Sequence, residues 1–351
     1  MRHYKNILVT GGCGFIGSNF INLILNENDY IVEDINIINI DKLTYAGSVK
    51  KNANYKDDKR YKFIEADIVD ENLISSILVR FNIDVIINFA AESHVDNSIT
   101  APDSFIQTNI LGTYNLLKCL NTYNLENSKN ALFFHISTDE VFGSLKNNDP
   151  GFNESNQYNP NSPYSASKAS SDHLVRAWFK TYKLPVLITN CSNNYGPNQD
   201  NEKLIPKIIK NAINKEIIPI YGDGMNIRDW LYVEDHCRAI IKVLMEGGIG
   251  ETYNIGGLNE ISNIDITNKI CEILENLIPF NTNPNPSTNE KLLGYKDLIT
   301  FVKDRAGHDF RYAIDPIKIE KNLNWKPSET FESGITKTVK WYLKQSGQYD
   351  Y

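Results

Sequence analysis

The sequence predicts an α/β fold: a parallel sheet covered by helices on both faces, joined to a smaller C-terminal domain. Three observations predict it. Short continuous apolar runs alternate with helical stretches through the first half of the chain. The first run is followed at once by a glycine-rich turn holding Gly11, Gly12, Gly14 and Gly17. Beyond about residue 190 the alternation stops, and Pro, Gly and Asn become denser. Continuous rather than alternating apolar runs belong to strands buried on both faces.

Taken in order, Asn6 to Thr10 is the first strand, rich in Ile, Leu and Val, and Phe20 to Leu25 lies in the helix after the turn. Ile37, Ile38 and Ile40 mark a second strand that ends at Asp41. Phe63 to Ala66 is a third, ending at Asp67, and Val85 to Phe89 a fourth, followed by Ala90 and Ala91. Ala131 to Ile136 and Val186 to Thr189 are the fifth and sixth. Leu111 to Leu120 and Ala166 to Tyr182 are helical between them. Later helices are expected over 201–214, 234–246, 264–277 and 331–344, the last with Ile335, Val339 and Tyr342 on one side. A polar loop is expected over 279–287. The division that follows is a first domain over 1–190 to which 226–250 returns, a second over 191–225 and 251–330, and a C-terminal helix and tail over 331–351.

Composition narrows the function. The 351 residues carry 36 Lys and Arg against 43 Asp and Glu, a net charge of −7, and no basic run of the kind a nucleic-acid binder carries. No apolar run approaches the roughly 18 residues of a membrane span. The first strand begins so early that a leader segment has no room, which predicts a cytoplasmic protein. The five cysteines, Cys13, Cys119, Cys191, Cys237 and Cys271, are widely spaced and read as reduced, mostly buried thiols. The six histidines show no metal-ligand spacing, and no metal is expected.

Gly11, Gly14 and Gly17 form G-x-x-G-x-x-G directly between a strand and a helix. A pyrophosphate needs backbone amides at a helix start with no side chain in the way. This predicts a Rossmann-type dinucleotide site. Asp41, at the second strand end, suits the ribose hydroxyls of NAD and would repel the 2′-phosphate of NADP. Asp67 and Ile68, then Ala90 and Ala91, follow successive strand ends, where this fold holds its ligands.

Tyr164 and Lys168 lie four apart after Pro163, on one face of a helix. An ammonium beside a phenol of ordinary pKa about 10 favours the phenolate, which can take a proton from an alcohol as its hydride leaves. Thr138, placed just after the fifth strand, supplies a hydroxyl to the set. Asp139 and Glu140 follow it directly. Adjacent acids are usually a solvated loop, and a simple dehydrogenase has no use for both. Elimination of water does: one group takes a proton while another protonates the departing hydroxyl.

These features together resemble the nucleotide-sugar 4,6-dehydratases of the extended short-chain dehydrogenase/reductase superfamily. The resemblance runs through Gly11–Gly17, Leu43–Gly47, Ala90–Asp96, Ser137–Gly143, Tyr164–Lys168, Cys191–Pro197, Gly222–Asp235 and Asp304–Asp315. It implies a tightly held NAD and a nucleoside-diphosphate glucose as substrate. Tyr164 deprotonates the glucose 4-hydroxyl as C4 loses hydride, Glu140 takes the C5 proton, Asp139 protonates the leaving 6-hydroxyl, and hydride returns to C6. Phe15, Ile16, Thr108 and Asn194 join the cofactor set by the same resemblance. Ser93, Thr138, Asn193, Lys203, Leu204, Pro219, Tyr221, Arg228, Asn263 and His308 join the substrate set. A homodimer is implied, packed through the helix of Tyr164, where Leu174, Trp178 and Phe179 are apolar.

Asn97, Asn190, Phe310 and the stretch Asn198, Asp200, Asn201 depart from that family pattern. The contexts of Arg228 and His308 favour a thymidine over a uridine nucleotide. A 4-epimerase acting on UDP-sugars would share Tyr164, Lys168 and NAD, but would not need Asp139 and Glu140. A non-catalytic NAD-binding scaffold would need none of the four.

Overall fold

The computed structural model describes residues 1–26, 35–280, 292–304 and 307–348. The loop expected at 279–287 lies outside the described residues from 281 onward.

Seven parallel strands form the main sheet: β1 (Asn6–Thr10), β2 (Asn36–Asp41), β3 (Tyr61–Glu65), β4 (Val85–Asn88), β5 (Leu132–Thr138), β6 (Val186–Cys191) and β10 (Thr252–Ile255). Their order is β10-β6-β5-β4-β1-β2-β3. Strand order therefore reverses between β1 and β4, and the crevice outside their carboxyl ends is where a doubly wound sheet binds its ligand.

Two cores cover the two faces. Phe20 and Ile24 of α1 (Phe15–Asn26), Ile240 of α8 (Val233–Glu246) and Ile319 of α10 (Ile317–Leu323) fill one. Ile74 of α2 (Glu71–Arg80), Leu116 of α5 (Thr113–Glu126) and Val175 of α6 (Pro163–Tyr182) fill the other. Full burial of side chains of this size stabilises the fold by roughly 1.5–3 kcal/mol each. Before α5 come α3 (Val95–Thr100), the short turn α4 (Asp103–Phe105) and a π-helical stretch, Ile106–Gly112. All five cysteines are buried and free.

The smaller unit has its own core. A three-stranded sheet joins β7 (Asn193–Tyr195), β9 (Ile227–Tyr232) and β11 (Glu260–Ser262), and a parallel pair joins β8 (Ile218–Tyr221) to β12 (Ile299–Val302). Ile205 and Ile209 of α7 (Leu204–Ile213), Ile266 and Ile270 of α9 (Asn263–Leu277), and Ile335 and Val339 of α11 (Phe331–Gln345) pack beneath them.

The structure moves several expected boundaries. β5 runs on through Thr138, which pairs with Cys191, so Thr138 ends the strand instead of following it. Helix α6 starts at Pro163 because Ser162 caps it reciprocally with Ser165. Helix α7 starts at Leu204, three residues later than the sequence suggests. Of the span 226–250, α8 packs on the main sheet and Leu231 of β9 reaches the same core, but β9 itself pairs with β7 and β11. The next strand, β10, pairs with β6 and belongs to the main sheet although it lies beyond residue 250. Four buried residues without alternation leave little sequence signal for it.

Candidate active site

At the end of β1 the chain turns at Gly11 with φ +69°. A Cβ there would lie 2.6 Å from the Ala90 backbone nitrogen, and one at Gly17 would lie 2.5 Å from the Gly11 carbonyl oxygen. Backbone cannot swing aside, so these positions exclude side chains and leave the N-terminus of α1 open to an anion. Asp41 braces this turn. Its carboxylate accepts the Cys13 amide at 2.9 Å and the Leu43 amide at 2.8 Å. Burial pushes its pKa up, and the two amides oppose that. Lys42 donates to Thr108 Oγ1 at 2.8 Å and lies 3.7 Å from the Asp67 carboxylate. The π-helical stretch carries Thr108, and Gly112 at its end packs where a Cβ would meet Ile68 at 2.4 Å.

The reacting set sits at the carboxyl end of β5. Tyr164 and Lys168 share the inner face of α6, with 8 % and 4 % exposure. Lys168 Nζ donates to the Ile136 carbonyl at 2.8 Å and lies 3.5 Å from His135 Nε2. Behind it, His135 Nε2 is 3.4 Å from Asp172 Oδ1. Asp172 Oδ2 accepts Tyr158 OH at 2.9 Å and Asn190 Nδ2 at 3.1 Å. Burial brings Lys168 down to about 8, with Asp172 holding it from falling further. Burial also pushes the Tyr164 phenol well up, with Glu140, Cys191 and Asp139 adding and a hydrogen bond from Thr138 opposing. The phenol lowered by Lys168 that the sequence suggests is therefore not found: desolvation and the neighbouring negative charges set the direction of the shift.

Asp139 and Glu140 begin a 3-10 turn capped by Thr138, whose Oγ1 accepts the Glu140 amide at 3.3 Å. Asp139 is 2 % exposed, and burial pushes its carboxyl well up, with Glu140 and Asp229 adding and Arg228 opposing. Its Oδ2 is buried with no hydrogen-bond partner. Glu140 is half-buried. The adjacent acids thus have unlike surroundings, the condition for one to hold a proton while its neighbour takes one.

One cleft gathers these groups. It is lined by all the residues expected at the cofactor: Gly11, Gly14, Phe15, Ile16, Gly17, Asp41, Asp67, Ile68, Ala90, Ala91, Thr108, Tyr164, Lys168 and Asn194. Thr138, Asp139, Glu140, Ser93, Asn193 and Lys203 line it too. Lys203 Nζ donates to the Ser93 carbonyl at 2.8 Å. The other expected substrate residues lie outside that lining, in the smaller unit. Leu204 opens α7, Pro219 and Tyr221 lie on β8, and Asn263 opens α9. Tyr221 OH reaches Asp96 at 3.5 Å, and its ring meets His308 edge-on at 6.4 Å. His308 Nδ1 lies 2.7 Å from Asp304 Oδ1. Arg228, on β9, donates to the carbonyls of Ile227, Asp309 and Phe310 and lies over the Tyr312 ring at 4.4 Å.

Sequence reasoning missed Lys42, Glu92, Gln199 and Asp200 in the cleft wall. It also missed Asp172, although Asp172 lies four residues beyond Lys168 on the same helix face, a spacing that could have found it.

The cleft fits a dinucleotide. The glycine cradle excludes side chains, and Asn193 Oδ1 and Gln199 Oε1 are buried polar atoms without partners in its wall. Comparison with known proteins agrees. The sequence pattern of the family described as GDP-mannose 4,6 dehydratase matches residues 8–338. A dTDP-glucose 4,6-dehydratase of Shigella flexneri is 53% identical over 349 residues, covering 96% of this chain and 92% of that protein. The crystal structure of dTDP-glucose 4,6-dehydratase from Bacillus anthracis in complex with NAD superposes with a TM-score of 0.84 at 42% identity, covering 98% of each chain. A UDP-glucose 4-epimerase from Thermotoga maritima has a TM-score of 0.81 but only 25% identity, covering 97% of this chain and 99% of that one.

Proposed function

The chain belongs to the GDP-mannose 4,6 dehydratase family, and from that premise we propose that it dehydrates dTDP-glucose to the dTDP-linked 4-keto-6-deoxyglucose. It is an NAD-dependent enzyme, a hydro-lyase. The observation that carries the reading is the pair Asp139–Glu140, in unlike surroundings, beside Tyr164 and Lys168 in one cleft.

When bound, NAD supplies the acceptor for the C4 hydride and gives it back to C6. The glycine turn, Asp41 and Thr108 hold the cofactor in this reading. Tyr164 takes the 4-hydroxyl proton, and Lys168 positions it. Loss of that hydride and proton leaves a 4-ketone, which acidifies the C5 hydrogen. Glu140 removes that hydrogen as a proton, and Asp139 gives a proton to the departing 6-hydroxyl. Ser93, Asn193 and Lys203 hold the sugar and phosphates, and the segments bearing Pro219, Tyr221, Arg228, Asn263 and His308 close the nucleotide side.

The main sheet with α8 and β10 forms the cofactor domain, and the smaller core forms the nucleotide-sugar domain. Assembly as a C₂ dimer through α5 and α6 fits an outer face where Leu111 and Tyr114 are exposed and Trp178 packs edge-on against Tyr114. Among the described residues no helix is long and apolar enough to cross a membrane.

Mass spectrometry after parallel incubation with dTDP-glucose and UDP-glucose tests the reading. It expects loss of one water from dTDP-glucose, faster than from UDP-glucose. A product of unchanged mass would make the protein an epimerase, and faster turnover of UDP-glucose would reassign the base.

A further inference from the structure

A proton balance over the proposed reaction leaves a debt inside the site. Tyr164 gains the proton of the 4-hydroxyl. Asp139 loses one to the departing 6-hydroxyl, which leaves as water. Glu140 takes the C5 proton, exchanges it with solvent, and gives one proton back to C5, so it ends with no net change. After each turnover Tyr164 therefore holds one proton too many and Asp139 one too few. Before the next turnover a proton must pass from the phenol to the carboxylate.

We propose that Thr138 Oγ1 carries that proton, so that the hydrogen taken from the 4-hydroxyl by Tyr164 recharges Asp139 for the next departing 6-hydroxyl. This deepens the dehydratase reading and rests on it. Thr138, Asp139 and Tyr164 line the same cleft, a hydrogen-bonding influence of Thr138 holds the Tyr164 phenol down against burial, and Thr138 Oγ1 lies 3.3 Å from Asp139 Oδ1. The three side chains are 8 %, 8 % and 2 % exposed, so bulk water has little access to either end.

The hydroxyl's own inventory supports the role. A threonine hydroxyl has one hydrogen to donate and two lone pairs. The Glu140 amide occupies one lone pair, at 3.3 Å. One lone pair and one hydrogen remain, for two neighbours. Before turnover the Asp139 acid donates to Oγ1, and Thr138 donates to the phenolate. After turnover Tyr164 donates to Oγ1, and Thr138 donates to the carboxylate. The two states differ only by a concerted shift of two hydrogens, and the Thr138 hydroxyl keeps all its hydrogen bonds in both. Burial pushes both the Asp139 carboxyl and the Tyr164 phenol well up, so the proton passes between two groups that both bind it tightly. The strand end makes the geometry possible: Thr138 is the last residue of β5 and the cap of the turn that begins with Asp139.

The test is rapid-quench kinetics of the NAD-loaded enzyme, comparing dTDP-glucose with dTDP-6-deoxy-6-fluoroglucose. Both give the same product, so product release is the same. Fluoride leaves without a proton from Asp139, so on the fluoro substrate Asp139 stays protonated and the proton gained by Tyr164 goes to solvent with or without Thr138; only the hydroxyl substrate uses the relay. Thr138→Val is expected to complete a first turnover of dTDP-glucose and then slow at least tenfold. On the fluoro substrate its first and later turnovers should differ no more than in the unmutated enzyme. Thr138→Ser keeps the hydroxyl and should abolish the slowing. The relay is overturned if Thr138→Val shows no slowing after the first turnover, or slows equally on both substrates. An unmutated enzyme that forms no dehydrated product strikes the underlying reading, a result distinct from either of those.

Discussion

On the sheet side of the cleft, His135, Asp172, Lys168 and Asp139 are 1 %, 0 %, 4 % and 2 % exposed. Each is fixed by neighbours on a strand end or on α6. On the facing side, three contacts reach across from the 200–203 segment. Lys51 meets Asp200 at 3.0 Å, His94 Nε2 lies 3.7 Å from Glu202, and Lys203 meets the Ser93 carbonyl. The side chains of the first two pairs keep 13–25 % of their exposure. In the dry wall a charge that loses its partner has no water to replace it, so removal costs the most. In the wetter wall solvent and salt screen each pair, and each is worth little alone. The chemistry is thus placed where electrostatics is strong and fixed, and the side that must admit a nucleotide sugar is held by contacts that are easily broken.

Changes in the dry wall should then have the larger effects. Tyr164→Phe removes the group that takes the 4-hydroxyl proton, and kcat should fall about 10²–10⁴-fold. The fall should be as large for a 6-fluoro substrate, because this step precedes departure of the leaving group. A fall confined to the 6-hydroxyl substrate would move Tyr164 out of the first step. Gly17→Ala sets a Cβ 2.5 Å from the Gly11 carbonyl. It should weaken NAD binding in isothermal titration and destabilise the fold by roughly 1–3 kcal/mol in thermal unfolding. Unchanged NAD affinity would remove the glycine turn from the cofactor site.

Asp172→Asn sharpens the comparison through pH. Lys168 stands at about 8, lowered by burial, with Asp172 raising it. Activity that needs the ammonium is present below that value and lost above it. Without the carboxylate the Lys168 pKa falls further, so the alkaline limb of the kcat profile should move to lower pH. A limb that stays in place would uncouple Asp172 from Lys168. The smallest effect belongs to the wet wall. Lys51→Met should cost about 0.2–1 kcal/mol, up to roughly fivefold in NAD retention, and the loss should shrink at high salt. A loss as large as that of Gly17→Ala would mean that this pair is not the screened contact its exposure implies.

The same contrast explains what could be read from the sequence. Strands β1 to β6 and the glycine turn are local: each is a run of neighbours with its own ending, which the four buried residues of β10 lack. Tyr164 with Lys168, and Thr138 with Asp139 and Glu140, are likewise neighbours in the chain. The smaller unit is assembled from segments far apart, so that β9 pairs with β7 and β11 and β8 with β12. None of these short strands has a pattern of its own that marks it as a strand. The direction of the Tyr164 shift was also out of reach, because it depends on burial beside Glu140 and Asp139, which spacing along a helix does not reveal.

The central claim is that the two acids turn an oxidation into a dehydration. Turnover of dTDP-glucose in deuterated water, followed by NMR at C5, tests it most directly. The unmutated enzyme should place solvent deuterium at C5 of the product, and Glu140→Gln should lose both the C5 exchange and the product. Persistence of exchange and turnover in Glu140→Gln would contradict the account and require a different base at C5.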